Sequence, residues 1–139
     1  MRPNIGPMTI RIASCSCGAL TARCAGDPVR VSVCHCLACQ RRSGSAFAVQ
    51  ARFPEDRVTI AGASRNWTRI GDEGSQARFR FCPVCGSTLF YTVDEDPGLI
   101  AIAVGAFADP DFPPPTRSVY EVRRHRWTSI SGDDVEHWD

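Results

Sequence analysis

Seven of the eight cysteines fall into three short clusters: Cys15-Ser16-Cys17-Gly18, Cys34-His35-Cys36-Leu37-Ala38-Cys39 and Cys82-Pro83-Val84-Cys85-Gly86. Sulfurs one or two residues apart can be aimed from one tight turn at a single ion, which is the spacing of metal ligands. In the third cluster Pro83 restricts the turn, and Gly86 permits the positive φ that swings backbone N–H groups toward the thiolates. A single Cys-x-x-Cys also serves redox enzymes, but there it sits in a βαβ setting that this chain does not present. A disulfide framework is disfavoured by the tight clustering and by the reducing compartment expected below.

Zinc takes four donors in a tetrahedron, and seven cysteines do not divide into two sets of four. The economical partition joins Cys15 and Cys17 to Cys82 and Cys85 as a closed structural site. It leaves Cys34, Cys36 and Cys39 around a second ion with one exchangeable position, the pattern of a catalytic metal. Four side chains compete to close that position. Cys24 stands in a strand-like run and reads as a small buried hydrophobe. His35, between two ligands, reads as a packing or hydrogen-bonding group beside the site. His125 and His137 stand among charged residues and read as solvated imidazoles. Arg41 and Arg42 follow Cys39 at once, where a guanidinium can clamp a substrate carboxylate; the plainer reading is a solvated pair. Trp67, Trp127 and Trp138 read as core or edge aromatics rather than substrate platforms.

The elements that must hold these clusters are strands. Alternating or β-branched runs recur at Thr9–Ala13, Leu20–Cys24, Val29–Val33, Ala46–Phe53, Arg78–Phe81, Thr88–Val93, Leu99–Phe107, Arg117–Val122 and Arg126–Ile130. Glycine-, aspartate- and proline-rich turns separate them, and no stretch sustains an apolar period of 3.6. The clearest alternation, Arg78-Phe79-Arg80-Phe81, runs directly into the third cluster. The expectation is an all-β, mainly antiparallel fold in one domain over residues 1–139, with the motifs inside about 14–107. Asp109–Pro115 is expected to be an ordered loop.

Composition bounds the function. A chain of 139 residues suits one core, and 43% hydrophobic with 22% charged residues is a globular balance. Two zinc ions held by seven thiolates would carry the formal net charge from +1 to about −2, far from the basic face of a nucleic-acid binder. All sixteen basic residues are arginine, which excludes a Schiff base or a lysine general base. Leu99–Val104 falls far short of the ~20 apolar residues that span a bilayer. Met1–Ile12 lacks the apolar run of about 7–15 residues of a secretory signal, so a cytoplasmic location is expected.

The pieces Cys15-x-Cys17-Gly18-Ala19, Cys34-His35-Cys36-x-x-Cys39-x-x-x-Ser43-Gly44 and Phe81-Cys82-Pro83-x-Cys85-Gly86-Ser87 resemble the glutathione-dependent formaldehyde-activating family, which includes centromere protein V domains. The resemblance covers about Ser14–Phe107; Pro110–Asp139 matches loosely, through Glu121, His125 and Trp127. It implies a β-tent fold stapled by zinc, two zinc ions per chain and the ligand division given above. It also implies a carbon–sulfur lyase acting on a thiol adduct such as a glutathione–aldehyde hemithioacetal. The partner would be a small-molecule thiol, with its sulfur as fourth ligand of the Cys34/Cys36/Cys39 zinc. His35, Glu121 and His125 are the unranked acid–base candidates. The rival is a non-catalytic zinc-binding interaction module; a pocket beside Cys36 favours the enzyme, a closed fourth position the module.

Overall fold

Strand-forming runs separated by turns build two sheets in the computed structural model, which describes residues 8–139. The strands are β1 (Ile10–Ser14), β2 (Thr21–Ala25), β3 (Arg30–Cys34), β4 (Ala48–Pro54), β5 (Val58–Ala61), β6 (Arg65–Ile70), β7 (Gln76–Phe81), β8 (Thr88–Val93), β9 (Leu99–Ala103), β10 (Arg117–Val119) and β11 (Glu136–His137). The small sheet has the order β1-β2-β5 and the large one β11-β10-β3-β4-β9-β8-β7-β6. Pairing is antiparallel throughout except where β10 lies parallel to β3 and β11. The all-β, mainly antiparallel expectation holds. The first seven residues of the expected 1–139 domain lie outside the described residues.

Period-two alternation sorts the large sheet into two faces. Val31, Ala51, Phe53, Ile100 and Ile102 join Ala13, Leu20, Ala22 and Cys24, from β1, β2 and the turn between them, in one buried cluster. The intervening Ser32, Cys34, Gln50 and Arg52 line a cavity, together with Ala77, Phe79 and Tyr91. Strand β8 serves both faces because its register against β7 shifts between Arg80 and Phe81, which places Leu89 in the main cluster and Tyr91 in the other.

Several expected elements differ. Arg126–Ile130 forms no strand; its residues are turns and coil, with Arg126 and Trp127 in solvent and only Thr128 buried. Leu99–Phe107 stops as a strand at Ala103 and tightens into a 3-10 turn over Val104–Phe107, whose Phe107 is buried against Phe112. Arg117–Val122 likewise ends at Val119, before a 3-10 turn at Glu121–Arg123. Strands β5, β6 and β11 were not expected: β6 and β11 lie at sheet edges with half-buried or exposed side chains, and β5 offers only the four-residue run Val58–Ala61, whose Val58 and Ile60 pack on the main cluster. The stretch 109–115 is anchored as expected, by buried Phe112.

One helix was not foreseen. Helix α1 (Leu37–Ser43) is capped by the Cys36 sulfur, which accepts from Cys39 N–H, and ends at Gly44 with φ +69°. At seven residues, none of them buried, it has no apolar stripe for a periodicity argument to find.

Candidate metal centre

The turn after β1 carries Cys15 and Cys17, and the turn between β7 and β8 carries Cys82 and Cys85. The four sulfurs lie within 4.8 Å of one another. Cys17 Sγ stands 3.7 Å from Cys15 Sγ and 3.6 Å from Cys82 Sγ. A tetrahedral ion with metal–sulfur bonds of about 2.3 Å sets sulfur–sulfur edges of about 3.8 Å, whereas a disulfide needs about 2.05 Å. The cluster fits an ion, not a disulfide. Backbone N–H groups point at the sulfurs: Leu20 at Cys15 (3.2 Å), Val84 and Cys85 at Cys82 (3.3 and 3.5 Å). Hydrogen bonds from Ser87 pull the Cys85 thiol down to about 5. The two turns are also tied directly, Ser16 Oγ to Ser87 Oγ at 3.0 Å. Gly86 takes φ +80°, as its place after the Cys-x-x-Cys turn requires.

The second cluster is local. Cys34 ends β3, Cys36 caps α1 and Cys39 lies in its first turn, with the three sulfurs within 4.8 Å of one another. Hydrogen bonds from Cys34 and Cys39, helped by the Cys39 N–H and the charge of Arg69, hold the Cys36 thiol down to about 2 against the cost of burial. Cys34, the donor to Cys36, is raised correspondingly. Two thiols stabilising a central thiolate are a donor set prepared for a soft cation. Each cluster can hold a metal ion.

Among the described residues no fourth Cys, His, Asp or Glu joins Cys34, Cys36 and Cys39. Cys24 is buried in β2, where burial pushes its thiol to about 11. His35 is fully buried and shares a 2.9 Å hydrogen bond between Nε2 and Ser118 Oγ. His125 Nε2 meets Gln40 Oε1 at 2.9 Å, and His137 Nδ1 meets Glu121 Oε2 at 2.7 Å. Cys34, Cys36 and Cys39 all line one cavity of about 360 Å³. None of His35, Glu121 or His125 lines it; the phenols that do are Tyr91 and Tyr120. Tyr120 is held there with φ +56°, a backbone conformation rare for a bulky residue.

The two arginines separate. Arg42 turns inward: its Nη2 donates to Cys39 Sγ at 3.6 Å, and its guanidinium lies 4.8 Å from the Phe79 ring centroid and 5.1 Å from that of Tyr91. Arg41 is exposed and lines a neighbouring groove instead. Arg30, Arg52, Arg69 and Arg117 also line the cavity, against the carboxylates of Glu95 and Asp96. Asp96 is taken by Arg30 (3.0 Å) and Arg52 (3.1 Å), so Arg42, Arg69 and Arg117 have no ion-pair partner among the described residues.

Sequence reasoning passed over Gln40. Its Nε2 donates to His35 O (2.8 Å) and Arg123 O (3.1 Å) while Oε1 meets His125, so it pins α1 to the C-terminal segment. Its position next to Cys39 was the only signal. The tryptophans are not core: Trp67 and Trp138 are half exposed, Trp127 more so, and Trp67 stacks on Phe79 at 5.6 Å from the edge strand β6.

The sequence model of the family described as glutathione-dependent formaldehyde-activating enzyme matches residues 10–123. The chain belongs to that family. Both cysteine clusters lie inside the family match, as does Glu121, while His125 and His137 fall outside it. A putative glutathione-dependent formaldehyde-activating enzyme from Penicillium rubens is 27% identical over 110 residues, covering 69% of this chain. The chain spans 57% of that relative's length. The crystal structure of a Rhodobacter sphaeroides protein superimposes with a TM-score of 0.55 at 18% identity, covering 92% of this chain and 99% of that one, a likeness of fold.

Proposed function

We propose that this chain is a zinc-dependent carbon–sulfur lyase acting on a thiol adduct such as a glutathione–aldehyde hemithioacetal. The observation that carries the reading is the trio Cys34, Cys36 and Cys39, which has no fourth Cys, His, Asp or Glu donor among the described residues and lines a cavity. Two zinc ions per chain are proposed, one held by Cys15, Cys17, Cys82 and Cys85 as a structural clip and one by the trio. The second ion, when bound, supplies a soft Lewis acid that favours substrate sulfur as thiolate at its fourth position. Family membership and the relative's printed name support a thiol such as glutathione as partner. Among the described residues no helix is long and apolar enough to cross a membrane. A cytoplasmic location is part of the proposal.

In the cleavage direction the carbon–sulfur bond breaks with its electron pair on sulfur, the hydroxyl loses its proton and a carbon–oxygen double bond forms. Tyr120 or Tyr91, which line the cavity, would take part in moving that proton, whereas His35, Glu121 and His125 are turned to other partners. Arg42 and Arg69 would orient the substrate through a carboxylate, since neither is paired with a carboxylate among the described residues. Titration of the cobalt-substituted chain with glutathione tests the reading. A change in the metal's absorption bands at millimolar thiol is expected, and replacement of Arg42 by Gln should weaken glutathione about tenfold while weakening a neutral thiol less. An unchanged spectrum with both metals bound would favour the non-catalytic interaction module.

A further inference from the structure

A second depression opens beside the cysteine trio, between α1 and the edge strand β6. This groove, of about 630 Å³, is lined by Leu37, Ala38, Arg41, Arg42, Trp67 and Arg69. Leu37 and Trp67 belong to different elements, yet both leave about half of their surface in solvent, 51% and 52%. A leucine and an indole exposed toward one groove gain free energy when an apolar body covers them. Trp67 is already braced by its stack on Phe79, with an interplanar angle of 30°, so the wall stands ready before a ligand arrives.

Charge and continuity narrow the occupant. No carboxylate lines the groove, and Arg41, Arg42 and Arg69 have no ion-pair partner among the described residues. The fitting body is apolar and attached to an anion. Ala38, Arg42 and Arg69 line both this groove and the cavity of the trio, so one small molecule can extend from the sulfurs onto the tryptophan. We infer that the thiol part of the substrate adduct bears a carboxylate and an aromatic substituent, the ring lying between Leu37 and Trp67 and the carboxylate among Arg41, Arg42 and Arg69. The inference rests on the reading of the trio as a thiol site. It makes the groove a specificity site that a small hydrophilic thiol leaves uncovered.

The test is calorimetric titration of the metal-loaded full chain with three compounds: 2-mercaptopropanoate, 2-mercapto-3-phenylpropanoate and 3-phenylpropanoate. The two thiols share the α-mercapto-carboxylate group and differ by the phenyl; the third keeps ring and carboxylate without sulfur. The phenyl-bearing thiol is expected to bind at least tenfold more tightly than 2-mercaptopropanoate. That ratio should fall below threefold in Trp67→Ala and, independently, in Leu37→Ser, both at half-exposed positions that the fold tolerates. Equal affinities of the two thiols, or a ratio untouched by both substitutions, overturns the groove while leaving the thiol reading standing. If 2-mercapto-3-phenylpropanoate binds no better than 3-phenylpropanoate, sulfur contributes nothing, and both the thiol reading and this extension of it fall.

Discussion

The proposed division of labour between the two clusters can be tested at single cysteines that differ in what surrounds them. Cys82 is fully buried, receives two backbone N–H groups and belongs to a set drawn from turns 65 residues or more apart, so an ion there closes a long loop. Cys36 is half-buried at a helix cap, and its two companions come from within three residues on either side. Structural zinc contributes about 10–16 kcal/mol of apparent binding free energy in small domains, so Cys82→Ser should lower the melting temperature by more than about 10 °C and release one metal. Cys36→Ser should lose one metal and melt within about 5 °C of the parent, because no pair of distant elements depends on that trio. Elemental analysis with differential scanning calorimetry reads both. A Cys36→Ser protein that is unfolded would show that the trio, too, is structural.

Among the elements, α1 and the C-terminal segment depend on each other. Gln40 carries two side-chain hydrogen bonds between them, to Arg123 O and His125 Nε2, and each is worth about 0.5–1.5 kcal/mol. Gln40→Leu should therefore speed amide hydrogen exchange at Arg123 and Arg124, whose N–H groups close the 3-10 turn, without altering exchange in the β7–β8 hairpin. The same segment is latched by Glu121 to His137. Burial alone would raise the Glu121 carboxyl, but hydrogen bonds from His137 and Ser118 more than offset it and hold it below its ordinary 4.5. A depressed carboxyl stabilises the fold fully above pH 4.5 and loses that contribution as pH falls through the folded value. The melting deficit of Glu121→Gln relative to the parent, on the order of 0.5 kcal/mol for a surface pair, should be full at pH 6–7 and absent near pH 3. A deficit constant across that range would mean that the latch does not act through charge. The turn after β5 also supports the first cluster's loop: Gly62 has φ +98°, and a Cβ there would collide with the carbonyl of Ala19.

For the molecule as a whole, the four-cysteine cluster joins the small sheet to the large one, since its halves leave β1 in the former and β7 in the latter. Chelation of the purified chain should accordingly strip hydrogen-exchange protection from β1, β2 and β5 before β3, β4 and β9, whose ladder lies within the large sheet. Simultaneous loss in both sheets would place the clip elsewhere. The sequence alone determined the cysteine trio and the two cysteine pairs, the turn at Pro83 and Gly86, and most strands of the large sheet. These depend on dihedrals and side-chain alternation over a few neighbouring residues, and such local terms are written directly in spacing. It left β5, β6 and β11 unseen, because β5 and β11 are runs of four and two residues and β6 is a largely polar, exposed strand defined by its pairing with β7. It also could not separate Arg41 from Arg42. Consecutive residues on a helix point about 100° apart, so once α1 forms one guanidinium turns to Phe79 and Tyr91 and the other to the outer groove. The tertiary structure alone decided that His35, His125 and His137 are engaged away from the trio, because Ser118, Gln40 and Glu121 reach them only through sheet order and chain crossing. That same long-range packing left Cys34, Cys36 and Cys39 lining a cavity, which no spacing of residues in a chain can specify.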